Sequence, residues 1–315
     1  VRPSRRAALA GAAALCALRA PVFAAARSPY DLTPVEVADG VWMIEGATEY
    51  FSPENGGAIV NVAFIETDAG AVLIDTGPSR RYGEALRTAM AARAPQGVAA
   101  VLMTHHHPDH WFGNQAFADR PIHALGATRE GAEAHGGAYA EAMYRLVGDW
   151  MRGTEPLPPA MALEGPELTV GGRALLLLPL GGHTAADLAV LDRRTGTLVA
   201  GDLAFLNRAP TTPDADLARW RASLTEIEAL GAGAIVPGHG PFDRTGDSLR
   251  QTRAYLDWLE ATLTAAANGG LSMAEAGAAA LPAEFAAMGA QPREFARSVS
   301  HLYPALERAA LPTLE

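Results

Sequence analysis

Along the chain, continuous apolar runs alternate with stretches in which apolar residues recur every three or four positions. "GAIVNVAFIETDAGAVLIDTG" (57–77) predicts two strands rich in β-branched residues, joined by a turn at 68–70. "SRRYGEALRTAMAAR" (79–93) has helical spacing, and Ser79 after Pro78 is the expected N-cap. "VAAVLMTH" (98–105) reads as a buried strand. Residues 128–161 break the rhythm: they hold the helical "EAMYRLVGDWMRG" and end in "EPLPPAM", the pattern of an insertion or lid.

The second part of the chain repeats the strand theme. "ELTVGGRALLLLPLGGHT" (167–184) and "DLAVLDRRTGTLVAGDLAF" (187–205) predict strands, with a hairpin turn at 193–196. A helix is expected over 217–230, a strand in "AIVPGHGPF", a longer helix over 248–267, and a mostly helical tail over 272–311. No repeat period and no extended linker interrupts this, so residues 27–315 read as one domain built from two similar halves. Strands alternating with helices give the α/β class.

Composition changes this picture at the N-terminus. Arg2, Arg5 and Arg6 precede an uncharged apolar run over 7–18 and small residues over 22–26. The layout of 1–26 is that of a twin-arginine-like export signal, too short for a membrane span and expected to be cleaved near 24–26, which places the mature chain in the periplasm. The single cysteine, Cys16, lies inside that segment, so the mature chain would offer neither disulfides nor thiolate ligands. Losing residues 1–24 removes four arginines and no acids and moves the net charge from -10 to -14. A chain that acidic lacks the basic footprint of a nucleic-acid binder, and after cleavage nothing ties it to a membrane.

The chemistry concentrates in "MTHHHPDHWFGN" (103–114). On an extended segment alternate side chains share a face, so His105, His107 and Asp109 can point one way while His106 points elsewhere, and a following helix would swing His110 back. Three more polar groups stand in glycine-rich turns expected at strand ends: His183 in "LGGHT", Asp202 in "AGD" and His239 in "PGHG". These seven side chains can serve two metals with one ligand shared. Imidazole and carboxylate without thiolate suit zinc first, then iron or manganese.

The pattern H-x-H-x-D-H followed by His183, Asp202 and His239 resembles the metallo-β-lactamase-fold hydrolase superfamily over about residues 35–242. The resemblance implies a four-layer αββα sandwich with two mixed β-sheets and the metals at one edge. Position by position, it implies His105, His107 and His183 at a first zinc, Asp109, His110 and His239 at a second, and Asp202 bridging them. It also implies that Asp75 in "IDTG" orients a ligating histidine. Asp109 would be the catalytic group, steering a metal-activated water onto the carbonyl of a small-molecule ester, thioester or lactone. Family β-lactamases generally carry cysteine or serine where this chain has Asp202, so antibiotic hydrolysis is not implied. "YFSPENGGAIVN", "DTGPSRRYGEALR" and "MYRLVGDWMRGTE" further resemble the quinoprotein relay system zinc metallohydrolases, related to a Sox sulfur-oxidation component. That subgroup implies a periplasmic quinoprotein dehydrogenase system as partner. Two other readings stay open: a mononuclear iron persulfide dioxygenase, and a non-catalytic protein that handles a metal or cofactor.

Overall fold

The computed structural model describes residues 30–310. The expected export signal over 1–26, Cys16 included, lies outside the described residues. Two sheets form the centre. The first has seven strands side by side in chain order: β1 (Val35–Ala38), β2 (Val41–Ile44), β3 (Val62–Ile65), β4 (Ala71–Ile74), β5 (Val98–Leu102), β6 (Ile122–Ala124) and β7 (Met161–Ala162). It is antiparallel from β1 to β4 and parallel from β4 to β7. The second sheet is ordered β12 (Ala234–His239), β11 (Thr197–Phe205), β10 (Asp187–Asp192), β9 (Arg173–Leu180) and β8 (Glu167–Val170). Here β11 and β12 are parallel and the other pairs antiparallel.

Period-two alternation explains why these strands read as unbroken apolar runs: both faces are covered. Val41, Met43, Ala63, Ile65, Val72 and Ile74 point inward and meet Leu175, Leu177, Leu188 and Val190 of the other sheet. Their neighbours Trp42, Ile44, Val62, Phe64 and Leu73 point outward beneath Tyr82, Leu86 and Met90 of α1 (Arg80–Met90). Ser79 caps α1 as expected, its hydroxyl accepting from the Tyr82 amide. The outer face of the second sheet is covered by α4 (Leu217–Ala229), α5 (Asp247–Asn268) and the tail helix (Arg293–Ala310). Helix, sheet, sheet and helix make the four layers of the expected sandwich.

The halves are less alike than the repeated strand theme predicts, with seven strands against five. The additional strands are two to four residues long, too short for a periodic signal. The insertion is one long helix, α3 (Gly126–Val147), followed by a 3-10 turn at Gly148–Met151. It buries Ala132, Met143 and Val147 on Trp111 and Phe112, which roofs the edge of the sandwich where the histidines gather. Among the described residues no helix is long and apolar enough to cross a membrane.

Candidate metal centre

Strand β5 delivers the cluster. Beyond Leu102 the chain leaves the strand, bends at His106 and reaches His107, the N-cap position of a single helical turn, α2 (Pro108–Trp111). His105 and His107 therefore leave the arm before the helix, whereas Asp109 and His110 leave the helix. The expected alternation holds for the two histidines; Asp109 belongs to the other side of the centre because the chain has already turned. His105, His107, His183 and Asp202 bring ligand atoms within 4.8 Å of one another, and so do Asp109, His110 and His239.

Asp202 lies between the groups. Its Oδ2 is 3.3 Å from Nε2 of His183 and 3.8 Å from Nε2 of His105, while Oδ1 is 3.2 Å from Nε2 of His110 and 3.3 Å from Nε2 of His239. Asp202 does not end its strand, as expected from "AGD"; it sits inside β11, where the pairing register with β12 shifts on either side of Gly201. Gly201 is left-handed at φ +53, and a Cβ there would stand 3.0 Å from Thr104. A Cβ on Gly238, before His239, would fall 2.0 Å from Asp202 Oδ1, so both glycines let the two parallel strands close around this carboxylate.

The outward ring nitrogens are committed as donors. His110 Nδ1 donates to Asp75 Oδ2 at 2.7 Å, and His239 Nδ1 to the Ile59 carbonyl at 2.8 Å. His107 Nε2 donates to Asp214 Oδ2 at 2.9 Å. Thr104 gives its hydroxyl proton to Asp75, so its oxygen accepts from His105 Nδ1 at 3.0 Å. The inward nitrogens of these four rings are therefore lone pairs in the neutral tautomers. They face a shared carboxylate, and His105 Nε2, His110 Nε2 and Asp202 Oδ1 are buried without a hydrogen-bond partner. A cation is what such a donor set fits.

Electrostatics divide the rings. Burial holds His105 and His183 well below the usual imidazole range. Burial acts on His110 too, but the carboxylates of Asp202, Asp75 and Asp109 outweigh it and hold the ring well above that range. Asp202 is held well below the carboxylate range, because the surrounding histidines outweigh its burial.

Asp75 turns the chain at φ 62, receives the Thr104 amide at 2.8 Å and accepts from His110 Nδ1. His106, which alternation turns away from the cluster, is buried, with its ring near His135 and Tyr139. Glu54 is exposed, whereas Asn55 organises the loop over the site, accepting from the Ser52 and Gly57 amides. Trp150 ties that loop to the insertion through a 2.8 Å bond to the Pro53 carbonyl. Asp214, Arg208 and Arg297, which also line the cavity, escaped the sequence reading, since each is a lone charged residue outside any motif.

The family model of the metallo-beta-lactamase superfamily matches residues 55–239, more than half of the chain. A "Beta-lactamase-like protein 2 homolog" of Caenorhabditis elegans is 28% identical over 183 residues, covering 58% of this chain and 56% of the relative. An "Atrochrysone carboxyl ACP thioesterase" of Aspergillus fumigatus is 28% identical over 182 residues, covering 57% of this chain and 50% of the relative. The chain thus spans about half the length of these curated relatives. A metallo-beta-lactamase from Pontibacter korlensis superposes with a TM-score of 0.59 at 24% identity, over 72% of this chain and 99% of that one. FIM-1 from Pseudomonas aeruginosa, solved in a mono-zinc form, gives 0.58 at 19%, over 73% and 97%. Both likenesses show the fold.

Proposed function

This chain belongs to the metallo-β-lactamase superfamily, and from that premise we propose that it is a metal-dependent hydrolase using two zinc ions on a small ester, thioester or lactone. One observation carries the reading: the two oxygens of Asp202 are divided between two sets of histidine nitrogens. One shared carboxylate with a separate set of nitrogens on each side is the donor arrangement a metal pair needs, and imidazole with carboxylate suits zinc. The thioesterase name of the fungal relative supports an acyl carbon as the target.

Bound at this centre, the ions would supply Lewis-acid polarisation of the substrate and an activated water at neutral pH. The chain's own residues do the rest. Asp109 lines the cavity beside His239, where its carboxylate orients the attacking water, takes its proton and returns it to the departing oxygen or sulfur. Asp75, Asp214 and the Ile59 carbonyl fix three of the rings so that their lone pairs stay aimed inward. Phe51, Met143 and Leu146 line the cavity with apolar surface that excludes bulk water.

The test is elemental mass spectrometry on protein purified without added metal, paired with an ester, thioester and lactone screen. Close to two zinc ions per chain, and hydrolysis abolished by His107→Ala or Asp109→Ala, are expected. About one iron per chain with oxygen uptake on glutathione persulfide would replace the hydrolase with the oxygenase reading.

A further inference from the structure

We propose that the cavity beside the metal centre takes an acyl substrate carrying an anionic oxygen group, a carboxylate in its simplest form, and that Arg297 of the tail helix selects for it. The inference rests on the hydrolase reading above for the reacting bond, but its own basis lies elsewhere, in two guanidinium groups that line the cavity.

The cavity measures about 210 Å³. That is room for one aromatic ring and a short substituent, given that an empty protein cavity of about 150 Å³ accepts benzene. Its body is apolar, with Phe51, Ile59, Met143 and Leu146, and two guanidinium groups, Arg208 and Arg297, close one side. Both turn to a single acid, Glu294, which is fully buried. Arg208 Nη2 is 3.2 Å from Glu294 Oε1, and Arg297 Nη1 is 3.2 Å from Oε1 and 3.0 Å from Oε2. One carboxylate neutralises one guanidinium, so the group of Arg208, Arg297 and Glu294 carries one net positive charge. The other acids lining the cavity are engaged elsewhere: Asp214 with His107, and Asp109 and Asp202 with the histidine nest.

A structural role alone leaves this pair unexplained. Arg208 is 1% exposed, and its Nη groups reach Ala209, Thr211 and Glu294, yet its Nε is buried with no partner. A buried guanidinium with an idle donor is costly, and an anionic oxygen is the acceptor its fork geometry matches. Arg297 complements it, with its side chain 31% exposed and so within a ligand's reach from the cavity. Its helix lies beyond residue 239, where the family match ends, so this cation comes from the chain's own tail.

The test uses the metal-loaded full chain and two phenyl thioesters that differ in charge, those of 4-carboxybenzoate and 4-carbamoylbenzoate, with the matching anilides as binding probes in calorimetry. Wild type should prefer the carboxylate thioester by about tenfold or more in kcat/KM and the carboxylate anilide by a similar factor. Arg297→Gln should bring both ratios close to one, and Arg297→Lys should retain part of the preference. The metal centre is common to all three proteins, so its own attraction for anions cancels in the comparison. Arg297→Gln spares the buried Arg208–Glu294 pair and tests charge without opening the core.

Equal use of the two thioesters by wild type, or a preference that survives Arg297→Gln, would overturn the inference while leaving the hydrolase standing. An Arg297-dependent preference in binding without cleavage of either thioester would support the anion site and count against the hydrolase. Failure of both anilides to bind would overturn the anion site.

Discussion

The carboxylate of Asp214 stands 2.9 Å from Nε2 of His107, and on the other side of the same ring Nδ1 lies 2.9 Å from Nε2 of His183. The acid thus decides which nitrogen of His107 carries the proton and which faces the centre. The hydrogen bond from His107 holds the Asp214 carboxyl down at about 2, so it is ionised throughout the neutral range. Asp214→Ala should weaken metal binding by the His105–His107–His183 group about 10–100-fold, the usual cost of losing such a partner. The Asp214 side chain is 44% exposed, so the fold should persist. Chelator competition on wild type and variant reads the difference; equal metal affinity would show that the contact does no positioning.

Asp214 also marks where legibility in the sequence ends. The seven expected ligands could be read because their residue types are improbable together: four histidines and an acid in six positions, then three polar groups set among glycines. The α/β class could be read because both faces of the strands are buried, so the β-branched runs are long and clean, while the four-layer sandwich is what the family resemblance implies. Asp214, Arg208 and Arg297 reach the cavity from a loop and from the tail helix, and nothing near them repeats or clusters. The burial of His106 is not legible for a related reason: alternation turns it away from the metal face, but only the packing of α3 decides that it is covered. The placement of Asp202 inside β11 depends on a bulge at Gly201 that a glycine alone does not announce.

On the second side of the centre, Asp75 does for His110 what Asp214 does for His107. Its position is more constrained, since it has a left-handed backbone and also receives the amide and hydroxyl of Thr104. Asn tolerates that backbone and Ala does not, which makes Asp75→Asn the informative change. The variant should fold and keep metal in the first group while losing about 10–100-fold in affinity at the second. Titration should then show one tight and one weak ion per chain, where wild type shows two tight ones. Two undiminished sites would rule out an orienting role for Asp75.

Metal binding should expel a proton. His110 is held well above its ordinary range by Asp202, Asp75 and Asp109 despite its burial, so at neutral pH the metal-free ring is protonated, and a ligating ring is not. Burial holds His105 and His183 low, so they are already neutral and release nothing. Apparent metal affinity should therefore rise with pH across the neutral range. Calorimetry in buffers of different ionisation enthalpy counts the proton directly, with zero release as the contrary result. Removing the metal should lower the melting temperature as well, since an ion present at 100 times its Kd contributes about 2.7 kcal/mol.

The loop that follows His239 should depend on Asp243 and on pH. Asp243 closes that loop by pairing with Ile235 through both backbone groups, at 2.7 and 3.0 Å. Its carboxylate then accepts from the amides of Thr245, Gly246 and Ser248 and from the hydroxyls of Thr245 and Ser248, at the start of α5. Burial alone would raise this carboxyl; the bonds from Ser248 and Thr245 prevail and bring it down to about 2. A folded-state value below the unfolded one means that the stabilisation is complete above the ordinary carboxylate range. It is lost as pH falls towards 2. Asp243→Ala should cost about 1–2 kcal/mol at pH 7, the scale of a lost helix cap. The gap to wild type in urea unfolding should shrink as pH falls from about 4 towards 2, because protonation removes from wild type what the substitution has already removed. A gap of constant size down to pH 2 would mean that the carboxylate's charge contributes nothing to the loop, leaving the Ile235 pairing alone to hold His239 at the centre.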